Sequence, residues 1–227
     1  MTMQTILAVE TSTQACSACL KRGEDVYLEY ELAPQKHADR LLPMVDSVLK
    51  QAGIRPGEID ALAYGEGPGA FTGIRIAAGV IQGLAFAWQK PVVSVSTLEA
   101  LAWQGYQASG QAQWWACLDA RMQELYVQSC RIESGVLASD SAQLVSEVQA
   151  LAMIKDSGIS QGVGDIDQVF PAIQAAFGHW ESALPSAEAV AAIAAQRPEQ
   201  AFDVEEVLPQ PVYLRNDVAD KKPTPTA

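Results

Sequence analysis

Along the first hundred positions, some segments have the apolar pattern of a strand and others have that of a helix. Short apolar runs at 5–10, 15–20 and 26–32 are bounded by turn residues and predict three buried strands joined by tight connections. Apolar positions three and four apart between 38 and 52 then predict an amphipathic helix, in which Pro43 should cause a kink or lie in the first turn. Further strand and helix patterns follow, so the predicted order of this half is βββαβαβα.

The second half repeats this alternation after a polar, glycine-containing stretch. The runs "WWACLDA" and "ELYVQSCRI" predict a hairpin, and helices are predicted at 167–177 and in the alanine-rich stretch after Pro185. His179 is expected in a loop. We therefore predict an α/β fold of two similar lobes, 1–103 and 104–227, with a polar tail from about 216.

Composition restricts the function classes. The formal net charge of -12 repels nucleic-acid phosphates, so direct binding of RNA or DNA by this chain is not expected. We expect no apolar run to approach the length of a membrane span, and the first residues lack a basic leader. We expect a cytoplasmic protein without a membrane partner.

The cysteine pair Cys16 and Cys19 suggests a redox or zinc site only at first sight. Both residues lie in a predicted strand, where positions three apart point to opposite faces, so they cannot hold one metal ion. Cys117 and Cys130 also lie in predicted strands and are expected to serve as small apolar residues.

The loop "GEGPGAFTG" at 65–73 has the glycine content of a phosphate-binding loop but not its chemistry. No lysine lies between 64 and 89, and Thr72 stands where a dinucleotide fingerprint has its third glycine. No acidic residue lies between Glu66 and Glu99 to hold a ribose. A tight turn from strand to helix is favoured, while free N–H groups at the helix start leave an anion site open as the alternative.

The helix after this loop is more informative. Between 74 and 88 its strongly polar side chains are Arg75 and Gln82, seven residues apart, and a helix so apolar is usually covered on most sides. In a small two-lobe protein we interpret the side beside this stripe as a protein interface, shared with one edge of the preceding helix. The residues predicted to form it are Leu41, Met44, Val48, Arg75, Ala78, Gly79, Gln82 and Phe86.

Catalytic candidates are sparse. His37 and His179 have no partner at metal-ligand spacing, and His37 is expected to serve the N-terminus of the first helix. Asp119 beside Arg121 is a candidate charged site, and Glu10 ends a strand where polar groups often reach a cleft. We predict no catalytic, cofactor-binding or metal-binding residues.

Several motifs together carry a resemblance to a known family. They are "ILAVETSTQACSACL", "HADRLLPMVDSVL", "GPGAFTGIRIAAGVIQGLA", "VSVSTLEALA", "LDARMQELYV" and "PVYLRNDVADK". They resemble the bacterial tRNA threonylcarbamoyladenosine biosynthesis family TsaB, also called YeaZ. The resemblance implies the actin/hexokinase-like (ASKHA) fold, with each lobe a mixed sheet with helices.

The resemblance also implies a non-catalytic role. A TsaD-like paralogue would be the catalytic subunit and a TsaE-like ATPase a further partner, with tRNA reached only through the complex and a homodimer formed by the chain alone. The histidine pair that holds metal in TsaD falls on Thr97 and Leu101 here, and its glycine pair near phosphate falls on residues 119–121. No cofactor is therefore expected.

Two other functions remain open at this point. An actin-fold small-molecule kinase would need a phosphate-binding glycine pair and a catalytic aspartate. A metallopeptidase, the less favoured alternative, would need metal ligands. Affinity for Mg-ATP and the metal content of the purified protein distinguish these alternatives from a non-catalytic subunit.

Overall fold

The structure is a computed structural model, and it describes residues 3–215. The polar tail predicted from about 216 lies outside the described residues.

The first sheet has five strands, in the order β3-β2-β1-β4-β5. The first three strands are antiparallel, while β4 and β5 continue parallel to β1. The predicted order βββαβαβα is confirmed. The elements are β1 (Thr5–Glu10), β2 (Ala15–Arg22), β3 (Asp25–Leu32), α1 (His37–Ala52), β4 (Ala61–Gly67), α2 (Phe71–Trp88), β5 (Val92–Ser96) and α3 (Thr97–Ser109), with a 3₁₀ turn at Pro56–Glu58.

The second sheet has the same arrangement. Its order is β11-β10-β6-β7-β8, with β9 also paired to β7. The elements are β6 (Gln113–Asp119), β7 (Glu124–Glu133), β8 (Val136–Ser139), β9 (Gln143–Ser146), α4 (Glu147–Ser157), β10 (Gln161–Gly164), α5 (Pro171–Ala176), β11 (His179–Ser182) and α6 (Ala187–Ala194), with a 3₁₀ turn at Pro198–Gln200.

The two sheets form a structural repeat. β6, β7 and β8 are antiparallel and correspond to β1, β2 and β3, while β10 and β11 run parallel to β6 as β4 and β5 run parallel to β1. The equivalent helices α3 and α6 pack against each other between the sheets, and α6 contacts β1 and β2. The predicted α/β, ASKHA-type fold of two similar lobes is confirmed. The division at 103/104 falls inside α3, which contacts both sheets, and it stays a prediction.

Some local features differ from the sequence prediction. The helix predicted at 167–177 is only the six residues of α5, and His179 begins a strand instead of lying in a loop. Pro43 lies in the second turn of α1, at an exposed position, and not in its first turn. His37 does begin α1, but its Nε2 lies 3.1 Å from the carbonyl oxygen of Ala15, so it ties the helix to β2 instead of serving the helix terminus.

Candidate functional site

The outer side of the first sheet is covered by α1 and α2, which lie side by side. The sheet-facing stripe of α2 consists of buried residues at the spacing of one helix face, namely Gly73, Ile74, Ala77, Ala78, Ile81 and Ala85. Four of them, Ala77, Ala78, Ile81 and Ala85, form one core cluster with the inner side of α1 and with β1, β2 and β4. The opposite side of the pair is not covered by the described residues.

Half of the predicted interface residues do not lie on this free side. Leu41 and Val48 are fully buried, Met44 is 4% exposed and Ala78 is 5% exposed, all in the chain's own core. The expectation that these four side chains face outward is therefore wrong. The helical wheel misplaced them because both helices bury a wide face, and nearly every position of α2 is apolar, so the sequence does not mark which side meets the sheet.

The other predicted residues lie on or beside the free side. Arg75, Gly79 and Phe86 are exposed, the last at 68%, and Gln82 is half-buried. Whether they contact a partner stays a prediction. The free side also includes residues that the helical wheel does not identify, and we call it the helix-pair surface. It consists of Leu42, Leu49, Gly79, Gly83, Leu84, Phe86, Ala87 and Trp88.

Small residues run along the middle of this surface. Gly79, Gly83 and Ala87 are exposed and four residues apart, so they share one side of α2. A Cβ atom added at Gly79 or Gly83 would meet nothing within 4 Å. Each glycine in a helix interior costs about 1 kcal/mol relative to alanine. Packing within the described chain gives no reason for this cost.

A shallow cavity of about 430 Å³ opens beside this line of small residues. Leu42 and Leu49 of α1 and Leu84 and Trp88 of α2 line it. Leu42 is 51% exposed, so the apolar surface continues from one helix to the other.

The glycine-rich loop is filled by the chain itself. The β1–β2 turn packs onto it: the N–H of Ala70 donates to the carbonyl of Ser12 (2.7 Å), and the Thr11 hydroxyl donates to the carbonyl of Gly73 (2.8 Å). A Cβ atom at Gly73 would lie 2.0 Å from the Thr11 oxygen, and one at Gly69 would lie 2.5 Å from the Ser12 oxygen. These glycines therefore permit backbone packing, as the turn interpretation predicts.

Glu10 does not reach the cleft, contrary to the expectation from its place in the sequence. Its side chain is fully buried, and the carboxylate accepts hydrogen bonds from the Ser12 N–H (2.6 Å) and the Thr97 hydroxyl (3.2 Å). Burial raises the pKa of Glu10, and these hydrogen bonds oppose the shift. Glu10 thus joins β1 to the start of α3.

The positions compared with the metal ligands of TsaD are both in the core. Thr97 and Leu101 have no exposed surface, and Thr97 is bound to Glu10. Within residues 3–215, no three His, Cys, Asp or Glu side chains form a group that could hold a metal ion. Cys16 and Cys19 belong to core clusters on opposite faces of the first sheet, as predicted.

The cleft between the lobes is large, about 2200 Å³, and carries acidic groups on its second-lobe side. Asp119 lies at the end of β6 and pairs with Arg121 at 2.9 Å, while its N–H donates to Asp165 (3.0 Å). Burial raises the pKa of Asp165 to about 6, and the nearby Asp119 charge adds to the shift. Two carboxylates at this position oppose the binding of a phosphate.

The expectation that no apolar run approaches the length of a membrane span is wrong. Among the described helices α2 is, by its length and composition alone, apolar enough to cross a membrane. The same composition suits a helix that covers a sheet and exposes an apolar side, which is what α2 does here.

Comparisons with known proteins agree with this fold. The family model described as "TsaD: tRNA N6-adenosine threonylcarbamoyltransferase" matches residues 30–220. The chain is 38% identical to the tRNA threonylcarbamoyladenosine biosynthesis protein TsaB of Escherichia coli, over 96% of this chain and 97% of that protein. It is 35% identical to the protein of the same name from Haemophilus influenzae, over 96% of each.

A solved structure is similar over almost the same length. YeaZ from Pseudomonas aeruginosa superposes with a TM-score of 0.83 and 37% identity, covering 93% of this chain and all of that one. Taken with the duplicated sheets and the match to the TsaD model, these similarities show that the chain belongs to the TsaB (YeaZ) family of TsaD-like proteins.

Proposed function

We propose that this chain is a non-catalytic subunit required for transfer of a threonylcarbamoyl group to the adenosine beside the anticodon of tRNAs that read codons starting with A. It acts as scaffold and activator of a TsaD-like catalytic subunit, together with a TsaE-like ATPase. The names of its relatives assign them to tRNA threonylcarbamoyladenosine biosynthesis. The observation that carries the partner role is the helix-pair surface, with two helix glycines that nothing in the described chain requires.

Three features support a role without catalysis. Thr97 and Leu101 are core residues, the glycine-rich loop is filled by the β1–β2 turn, and Asp119 and Asp165 face the cleft where phosphate would have to bind. The net charge of -12 disfavours direct contact with tRNA, so tRNA is reached through the complex. The complex acts in the cytoplasm.

The helix-pair surface suits another helix. Glycine at i and i+4 lets a second backbone approach closely, a geometry best documented for membrane helices. Phe86 and Leu42 flank the glycines as apolar anchors, and burying such a side chain fully contributes about 1.5–3 kcal/mol. A TsaD-like subunit, which shares the fold, would present its own outer helices here. The free chain would pair with itself through the same surface as an isologous dimer.

The test is a charge placed in the middle of the surface. Gly83→Arg should leave folding intact, because the position is exposed and a Cβ there meets nothing within 4 Å. It should weaken binding of the TsaD-like subunit at least 100-fold, because a charge packed between helices loses its hydration without a counter-charge. Titration calorimetry and a tRNA modification assay of the reconstituted mixture measure both effects.

Ala175→Arg is the matched control. It introduces the same side chain at an exposed position of α5, the counterpart of α2 in the second lobe. This variant should bind and support modification like the wild type. A folded Gly83→Arg protein with wild-type affinity would overturn the interface, and turnover by the chain alone, free of TsaD, would overturn the non-catalytic role.

A further inference from the structure

The last described residues, 210–215, cross from the first lobe to the second, and we call them the C-terminal strap. They form neither helix nor strand. On the first lobe, the Tyr64 hydroxyl donates to the carbonyl of Gln210 (3.0 Å), and the N–H of Val212 donates to the carbonyl of Glu66 (2.7 Å). The strap is thus bonded to the end of β4, where the glycine-rich loop begins.

The strap next contacts the first two turns of α2 through Tyr213. Arg75 Nε donates to the Tyr213 hydroxyl at 2.6 Å, and the Tyr213 ring lies 5.7 Å from that of Phe71. The Arg75 guanidinium also lies 3.6 Å from the centre of the Phe71 ring, in cation–π geometry. Arg75 and Phe71 are both exposed and lie on the helix that carries Gly79 and Gly83.

The strap then reaches the second lobe through Arg215. Its guanidinium pairs with Glu124 at 2.7 Å and donates to the carbonyl of Ala120 at 3.1 Å and to that of Arg121 at 3.4 Å. Ala120 and Arg121 belong to the β6–β7 turn, which faces the cleft between the lobes, and Glu124 is the first residue of β7.

This turn has an unfavourable backbone. Arg121, Met122 and Gln123 follow one another with φ of 63°, 55° and 64°, in the left-handed region that residues with a Cβ atom rarely adopt. Such conformations persist only where surrounding contacts fix them. Arg215 supplies two of those contacts by binding carbonyl groups of the turn.

We propose that the C-terminal strap is a mechanical link between α2 and the β6–β7 turn. A partner that contacts Arg75 or Phe71 would break or strengthen their contacts with Tyr213. Arg215, two residues later in the strap, would then shift its contacts with the β6–β7 turn in the cleft. The link itself is a property of the free chain. Its use by a docking partner rests on the proposed function.

Hydrogen exchange on the free protein tests the link. Tyr213→Ala removes the hydrogen bond and ring contact with α2, and among the described residues Tyr213 has no hydrogen bond to the second lobe, yet the amides of 120–124 should exchange at least 10-fold faster. Arg215→Gln should have the same effect. Tyr30→Ala is the control, because Tyr30 is an exposed aromatic residue of β3 outside both the strap contacts and the helix-pair surface, and it should leave those amides unchanged.

The exchange rates of the two variants distinguish a link between α2 and the turn from a local anchor. Unchanged exchange in Tyr213→Ala overturns the link, even if Arg215→Gln accelerates exchange, because the strap would then be a local anchor only. If Tyr213→Ala does not fold, Tyr213→Phe removes only the hydroxyl bond to Arg75 and should accelerate exchange at least 3-fold, and no acceleration overturns the link.

A second arm uses the TsaD-like subunit. Its binding should change exchange at 120–124 at least 3-fold in the wild type but not in Tyr213→Ala, and equal changes in both proteins would overturn the link. Absence of binding to the wild type would refute the proposed function and leave the link to be decided by the free-protein data.

Discussion

The outer helices of the two lobes differ although the sheets beneath them have the same topology. In the first lobe α1 and α2 have 16 and 18 residues, whereas their counterparts α4 and α5 have 11 and 6. Helix α4 begins with a capping box of Ser146 and Gln149, whereas α2 has no side-chain cap and is held at its start by the β1–β2 turn. The repeat has therefore produced one lobe with an extended apolar outer surface and one with short covering helices.

The comparison separates two uses of glycine. Gly73 in the first lobe and Gly164 in the second lie against backbone, whereas Gly79 and Gly83 face open space. The first kind serves the fold of each lobe. The second kind lies in the middle of α2 on the outer face of the first lobe, where we propose that a partner packs.

The largest expected effect is loss of stability at the packed glycines. An alanine Cβ at Gly73 would lie 2.0 Å from the Thr11 oxygen, and one at Gly164 would lie 1.7 Å from the Cys117 oxygen. Because backbone must move in both cases, Gly73→Ala and Gly164→Ala should each lower the free energy of unfolding by about 3 kcal/mol or more. Urea denaturation measures this, and a loss below about 0.5 kcal/mol in either variant would contradict it.

A smaller, pH-dependent effect should arise from Asp165 in the second lobe. Because burial raises the pKa of Asp165 to about 6, from 3.8, the folded state binds the proton more tightly and stability falls as pH rises between these values. Asp165→Asn keeps an oxygen for the Asp119 N–H, so it should stabilise the protein by about 1–3 kcal/mol at pH 7.5 and hardly at pH 4.

Thermal unfolding at the two pH values checks this prediction. Asp156→Asn, at an exposed position of α4, is the matched control and should show no such difference between pH 4 and pH 7.5. Equal stabilisation by Asp165→Asn at both values would mean that packing, not charge, explains the effect.

The smallest expected effect is a gain in the stability of the free chain. Gly79→Ala and Gly83→Ala should each stabilise the free chain by about 0.5–1 kcal/mol, because alanine favours the helix and meets no neighbour. The same variants should weaken self-association, because the added methyl groups hold a second helix away. Unfolding experiments and sedimentation measure the two effects, and tighter association would contradict the helix-pair surface.

The sequence predicts some of this architecture and not the rest, for physical reasons. The strands of the first sheet and the two long helices have strong periodic patterns, so they were predicted. Helix α5 and strand β11 are too short to show a period, and they were missed or misplaced.

For the candidate site, periodicity identified the helix but not its outward face. Ala78 and Gly79 are both small, and only tertiary packing distinguishes the buried residue from the exposed one. The strap contacts of Tyr213 and Arg215 join residues about 90 to 140 positions apart and leave no local pattern in the sequence.

The packing of α6 on the first sheet has a consequence for synthesis. The N–H of Ala187 donates to the Ser17 hydroxyl at 2.9 Å, so the inner face of β1 and β2 is completed by a helix made about 170 residues later. While the chain leaves the ribosome, that apolar face remains open until nearly the whole sequence has been translated, a state that favours chaperone binding. The packed core on this face of the first lobe can therefore be completed only after the last helix of the second lobe has been made.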